Sequence, residues 1–274
     1  MKLKNWIPVS LKKALKYGFY ASQDAINFLK GQKSDYPPRR LNFVGSHDFQ
    51  NVGKEFFHYF VNLGGLQPTD QVLDIGSGIG RMALPLTKYL DPGGTYEGFD
   101  IDKRGVQWCQ KNITPKYPNF HFQYVDIHNP YYNRKGKIQS HQFVFPYADK
   151  SFDFIFATSV FTHMTNKEIV QYLKEIKRTL KPSGTFFLTF FALDKTAQKN
   201  IQRGESQCDL RYTEDDIAFY SHKSMKEAEI GYQENWLREQ FKINDLGHHL
   251  KIHRGWWSGR EDGVSYQDIF IGEG

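Results

Sequence analysis

Three glycines in five residues follow an apolar run in "VLDIGSGIGR" (72–81): Gly76, Gly78 and Gly80 alternate, and Asp74 stands two residues ahead of the first. A tight strand-to-helix turn can use one or two glycines, because glycine tolerates positive φ. Three in alternation also strip every side chain from between the backbone and whatever lies above it. A following helix would aim its free N–H groups at the same place. The stretch therefore reads as a site where a ligand lies against bare backbone. It is not the dinucleotide fingerprint G-x-G-x-x-G, since Arg81 occupies the position of the last glycine.

Around this stretch apolar runs alternate with helical patterns. "QVLDIG" (71–76), "TYEGFDI" (95–101), "FHFQYVDI" (120–127), "SFDFIFATSV" (151–160) and "GTFFLTFF" (184–191) read as strands. The segments 51–64, 80–90, 103–113 and 166–180 read as helices. A helix at 233–241, a strand near 242–253 and a last strand at 266–272 close the chain. The expected architecture is α/β: a Rossmann-like, doubly wound, mostly parallel sheet of seven strands with helices on both faces. Pro37-Pro38 separates a basic N-terminal arm (1–40) from this domain (41–274), and 192–232 is too long for a simple connection.

In such a sheet, ligands bind at the carboxyl ends of the strands. Asp100 ends the second strand twenty residues after Gly80, where a carboxylate can accept both hydroxyls of a ribose, and Ile101 follows as an apolar plate for a base. Asp126 ends the third predicted strand and Asp153 begins the fourth. His163 lies just beyond the fourth strand; it reads as a general base, or as a residue that packs or caps a helix.

The pattern D-x-G-x-G-x-G resembles the first motif of class I S-adenosylmethionine-dependent methyltransferases. "SFDFIFATSVFTHM" and "LKEIKRTLKPSGTFFLT" resemble later motifs of that family, and the resemblance covers roughly residues 40–274. "PPRRLNFVG", "SVFTHM" and "GWWSGREDGVSYQDI" look like a bacterial subgroup of type 11/12 methyltransferases, whose members often lie among glycan or secondary-metabolite genes. The resemblance implies methyl transfer from S-adenosylmethionine to a small-molecule or glycan acceptor, at an oxygen. It implies donor binding by Asp74, Gly76, Ser77, Gly78, Gly80, Asp100, Ile101, Asp126, Ile127 and Thr158, with Ser159 bordering the methionine portion. Phe49 and Gly53, in a segment that folds over the donor in related proteins, complete the set. Insertions such as 192–232, which carries His222, commonly cover the acceptor.

Trp256, Trp257 and Arg260 precede the last strand. They read either as packing for it or as an acceptor wall, since aromatic faces beside an arginine suit polar rings. "NPYY" (129–132) resembles the motif of amino-methylating enzymes, but it follows the third strand and reads as a turn. "HHLKIH" (248–253) lacks the further partners of a zinc site, so no metal is expected. An aminopropyl transferase would want paired aspartates after the fourth strand, and "ATSVFTHM" has none. A non-catalytic S-adenosylmethionine-binding protein is the remaining alternative, because fold does not fix function.

The net charge of +6 is uneven: residues 1–40 hold nine Lys/Arg against two acids, leaving 27 basic and 28 acidic side chains in the rest. The body thus gives no electrostatic reason to expect nucleic acid. The two cysteines, Cys109 and Cys208, and the absence of a membrane-length apolar run fit a reducing, cytoplasmic setting. Leu11, Leu15, Ile26 and Leu29 fall on one side of a helical wheel, opposite Lys12, Lys13, Lys16 and Lys30. The arm reads as a helix packed on the body or as one lying on the inner membrane surface, where a lipid-linked acceptor would be found.

Overall fold

The computed structural model describes residues 18, 22, 35–41 and 48–274. The amphipathic stripe of the arm lies outside the described residues except at Gly18 and Ser22.

Seven strands form the central sheet: β1 (Gln71–Ile75), β2 (Thr95–Asp100), β3 (Phe120–Tyr124), β6 (Phe152–Ala157), β7 (Leu180–Phe190), β12 (Lys251–His253) and β13 (Asp268–Glu273). Their order is β12-β13-β7-β6-β1-β2-β3. The five strands from β3 to β7 run parallel, while β13 is antiparallel to β7 and β12 to β13. This is the expected mixed α/β sheet. Strand alternation sends Leu73 and Ile75 into one core with Phe145, Tyr172 and Phe190, and Val72 into another with Phe60, Tyr96 and Phe154.

Helix α1 (Phe49–Asn62) starts where Asp48 accepts the Asn51 N–H at 3.2 Å, and its apolar stripe buries Phe49, Phe56 and Phe60. The helix expected at 80–90 shrinks to α2 (Ala83–Leu86). Pro85 has no N–H, so it cannot bond the Arg81 carbonyl four residues back. Gly53 of α1 comes against that same carbonyl, and a Cβ there would stand 2.7 Å from it. Helix α3 (Lys103–Asn112) and helix α4 (Asn166–Thr179) form as expected; at the start of α4 the Thr165 N–H donates to Glu168 at 2.5 Å.

The segment 192–232 is structured. The short strands β8 (Ala192–Leu193), before α5 (Lys195–Arg203), and β9 (Tyr212–Thr213), β10 (Ala218–Tyr220) and β11 (Ile230–Gln233), after it, make a second sheet, ordered β8-β11-β10-β9. Helix α6 (Glu234–Ile243) runs into the predicted strand near 242–253. Asp245 and His249 at positive φ then turn the chain, leaving only β12 extended. The third predicted strand ends early, at Tyr124. Ile127–His128 (β4) pairs instead with Ile138–Gln139 (β5).

Candidate active site

Each of the three glycines is there for a different reason. All have positive φ: 82° at Gly76, 55° at Gly78 and 78° at Gly80. A Cβ on Gly76 would lie 2.4 Å from Val160 Cγ2, and one on Gly80 would meet Ile113 and Cys109 at 2.9 and 3.0 Å. A Cβ on Gly78 would meet nothing within 4 Å. Gly76 thus admits the turn after β6, Gly80 seats the loop on α3, and Gly78 faces open space. Part of the N–H supply of the loop is used within the chain. Phe99 O accepts from the N–H of Gly76 and of Ser77 at 2.9 and 3.0 Å, and Gly80 donates to Ser77 O at 2.9 Å.

Asp100 closes the loop from the side. Its Oδ2 accepts the Gly78 N–H at 2.7 Å and its Oδ1 the Asp102 N–H at 2.6 Å. Both oxygens are held in place by backbone, with lone pairs left over. Burial pushes this carboxyl up to about 6, against those two hydrogen bonds, which favour the ionised form.

The loop and Asp100 form one end of a cavity of about 770 Å³. Of the sequence-predicted residues, Gly76, Ser77, Gly78, Asp100, Ile101, Ile127, Thr158, Ser159, His163 and Trp256 line it. The hydroxyl of Ser77 is buried on this wall with no partner among the described residues. Open space over Gly78, an unpartnered hydroxyl beside it and an anchored carboxylate fit the ribose side of a nucleoside such as S-adenosylmethionine.

His163 lines the same cavity from a short 3-10 turn (Phe161–His163), half-buried. Its Nδ1 is 2.9 Å from the Glu227 carbonyl, which can only accept, so Nδ1 carries the proton. Nε2 is left with its lone pair and faces the Tyr132 hydroxyl at 3.3 Å. Burial lowers the imidazole below its ordinary value, so the ring is neutral near pH 7. Tyr132 is held by the "NPYY" turn, in which Asn129 Oδ1 accepts the N–H groups of Tyr131 and Tyr132, both at 2.9 Å. That oxygen is occupied by its own turn, as the sequence position suggests, yet the turn delivers Tyr132 to the cavity.

Several predicted residues lie off the cavity. Asp74 shares the Val72 face of β1 and points into the core, where the Tyr96 hydroxyl donates to it at 2.5 Å. Asp126, two residues past the end of β3, accepts from the Tyr124 hydroxyl at 2.8 Å. Gly80 faces α3, and Phe49 and Gly53 line a separate cavity of about 280 Å³ between α1 and α2. Trp257 is a core residue: it is fully buried, and its indole N–H donates to Asp268 at 2.7 Å. Arg260 is held by Asp194 at 2.5 Å, and His222 is exposed away from the cavity. Of the three residues read as an acceptor wall, only Trp256 remains, stacked at a tilt on Tyr266 with 4.7 Å between ring centres.

The structure adds lining residues that sequence reasoning missed: Glu55, Arg81, Tyr132, Glu229, Tyr266 and Gln267. Gln267 Oε1 accepts from Thr189 at 2.6 Å and Ser159 at 3.1 Å, and Thr189 Oγ1 accepts the Ser159 N–H at 2.8 Å. This net holds Ser159 at φ 58°, a conformation that costs a non-glycine residue of order 1–3 kcal/mol. The position of Gln267 in "YQDIF", beside the predicted acceptor wall, was the only available signal. Among the described residues no group of three or more His, Cys, Asp or Glu is arranged to hold a metal ion. None of their helices is long and apolar enough to cross a membrane.

Residues 73–188 match the family model of the methyltransferase domain. The solved structure of the PH0226 protein from Pyrococcus horikoshii overlays 85% of this chain and 94% of its own, with a TM-score of 0.55 at 15% identity, and shows the same fold. The matched segment, from β1 to β7, is thus similar to that methyltransferase domain, and the overlay shows that the fold is shared. Among curated relatives, an arsenite methyltransferase of Aquipseudomonas alcaligenes is 26% identical over 135 residues, 49% of this chain and 36% of that protein. A ubiquinone/menaquinone biosynthesis C-methyltransferase of Wigglesworthia glossinidia brevipalpis is 26% identical over 152 residues, 56% of this chain and 54% of that protein. The chain spans about a third to a half of the length of the curated relatives it matches.

Proposed function

We propose that the protein is an S-adenosylmethionine-dependent methyltransferase that methylates a small-molecule or glycan acceptor, at an oxygen. The observation that carries the reading is Asp100, fixed through both carboxylate oxygens beside a glycine loop whose middle member faces open space. S-adenosylmethionine supplies a methyl carbon already activated by a sulfonium. The chain's task is then to hold and orient, which is worth ~7–11 kcal/mol of barrier when the geometry is good. Asp100 accepts the ribose hydroxyls, Ser77 adds a donor, and Ile101 and Ile127 bracket the base. Thr158, Ser159 and Gln267 border the middle of the cavity. His163 Nε2 is the lone pair suited to take a proton from an acceptor hydroxyl, and the choice of oxygen rests on that neutral ring. Relatives named for arsenite and quinone methylation support a small-molecule acceptor.

Isothermal titration of S-adenosylmethionine tests the reading. Micromolar-range binding is expected for the wild type, with loss of detectable binding in Gly76→Val and a marked loss in Asp100→Ala. Unchanged affinity in both variants would overturn it.

A further inference from the structure

The acceptor end of the cavity contains a negative charge with no counterpart. Other acids that are wholly or partly buried bring their own cation: Glu175 with Arg178 at 2.6 Å, Glu234 with Arg254 at 2.8 Å, Asp153 with Lys181 at 2.7 Å. Others take backbone N–H groups, as Glu168 does at Thr165 and Asp268 at Ala192 and Gly255. Glu229 has neither. Among the described residues its carboxylate meets only the Cys208 thiol, at 3.4 Å, and it makes no ion pair. A carboxylate on a cavity wall with no cation of its own can pair with one that a ligand brings.

The surroundings of Glu229 define what that ligand looks like. Glu229 lines the same cavity as Tyr132, His163, Trp256 and Tyr266, and at His163 its charge opposes the lowering that burial imposes. Tyr266 and the half-exposed Trp256 form an aromatic corner on the same wall. The remaining charged groups of the cavity are Glu55, Arg81, Asp100, Asp102 and Arg104. Glu55 is another acid, with the Tyr59 hydroxyl as its hydrogen-bond donor at 3.0 Å. Arg81 lies over Phe49, and Arg104 stands 3.9 Å from Asp102 beside Asp100. Neither arginine forms an ion pair with Glu229. Aromatic faces and a carboxylate attract the same partner, a cation, by quadrupole and by charge.

We propose that the acceptor carries a positively charged amine, held between the Glu229 carboxylate and the aromatic corner of Trp256 and Tyr266. The inference rests on the methyltransferase reading for the identity of this end of the cavity as the acceptor end. It leaves the methylated atom to His163 and concerns how the acceptor is recognised.

Matched probes test it: 2-phenylethylammonium against 2-phenylethanol, which share one apolar body and differ in the charged head. Each is titrated by calorimetry into protein saturated with S-adenosylhomocysteine, so that the donor's own ammonium position is filled. The ammonium probe should bind at least about tenfold more tightly than the alcohol, ~1.4 kcal/mol. That preference should vanish in Glu229→Gln and shrink with added salt in the wild type. Trp256→Ala should weaken the ammonium probe while leaving S-adenosylmethionine binding intact. Equal affinity for the two probes in the wild type would overturn the proposal, as would a preference that survives in Glu229→Gln. A titration of S-adenosylmethionine on the same samples keeps the readings apart. Donor binding without a cation preference defeats only this inference, and a cation preference without donor binding defeats the methyltransferase reading instead.

Discussion

The two ends of the cavity are built in opposite ways. The end we assign to the donor is the loop 76–78 and the carboxylate of Asp100, locked to each other by backbone N–H donors within a few residues of one another and of the strand ends. The lining we assign to the acceptor is side chains: Glu55 from α1, Tyr132 from the turn after β4, His163 after β6, Glu229 before β11, and Trp256 and Tyr266 before β13. The donor end therefore depends on local conformation and the acceptor end on tertiary assembly. A backbone site can be broken by one Cβ, whereas a side-chain site is retuned one group at a time.

The largest effect should come from the loop. Gly76→Val puts a β-branched residue at φ 82° with its Cβ 2.4 Å from Val160, so loop and turn cannot both keep their places. Donor affinity should fall by about a hundredfold or more, ~2.7 kcal/mol, in a calorimetric titration. Gly78→Ala sharpens the contrast, because its Cβ meets no atom of the described residues within 4 Å and costs only the ~1–2 kcal/mol of a left-handed residue. Its melting temperature should fall by no more than that strain accounts for, while donor binding should fall further.

The acceptor end should respond in rate and leave donor affinity alone. His163→Gln keeps a hydrogen-bonding side chain and removes the titrating ring, so single-turnover methyl transfer should drop by about a hundredfold, within the usual range for a lost general base. In the wild type the rate should rise with pH along a limb below 6.5, because burial lowers the imidazole and only the neutral ring can take a proton. The variant should lack that limb. A drop of less than about tenfold would reduce His163 to a packing residue.

This contrast also explains what could be read from the sequence. The order of strands, the glycine loop and Asp100 were legible because they are contiguous or fall at fixed spacings along one β-α unit. Asp74 and Asp126 do not line the cavity, for two different local reasons. Strand alternation turns Asp74 toward Tyr96 and the core, and Asp126 lies past the end of a strand that stops at Tyr124. Neighbours in sequence also parted company at the acceptor end: Trp256 faces the cavity while Trp257 is buried on Asp268. Glu229 carries no signal of its own, since a glutamate in a polar stretch acquires meaning only when the second sheet brings it beside His163.

Asp100 gives the next effect, and its sign can be worked out. A ribose diol donates to the ionised carboxylate, and in the free protein that carboxyl sits at about 6. Donor affinity should therefore be fully present above that value and fall as the pH drops through it. Asp100→Asn should abolish this dependence and weaken binding at pH 7.5 by ~1.5–3 kcal/mol, the range for hydrogen bonds to a charged group. A variant that keeps the wild-type pH profile would move the dependence to another group of the cavity.

The smallest effect concerns Asp74, the acid that the motif assigns to the donor and the fold assigns to the core. Burial raises it from 3.8 to about 8, with Asp100 adding to the rise and the Tyr96 hydrogen bond opposing it. The folded protein therefore holds a proton there that the unfolded chain releases near 3.8. The stability linked to that proton is complete below about 3.8 and is lost as pH rises through about 8. Asp74→Asn cannot titrate but can still accept from Tyr96. Its melting temperature relative to the wild type should climb between pH 5 and pH 9, while donor affinity stays within about twofold, under ~0.5 kcal/mol. A large loss of donor binding in this variant would return Asp74 to the ligand surface and erase the boundary between the donor end and the core beneath it.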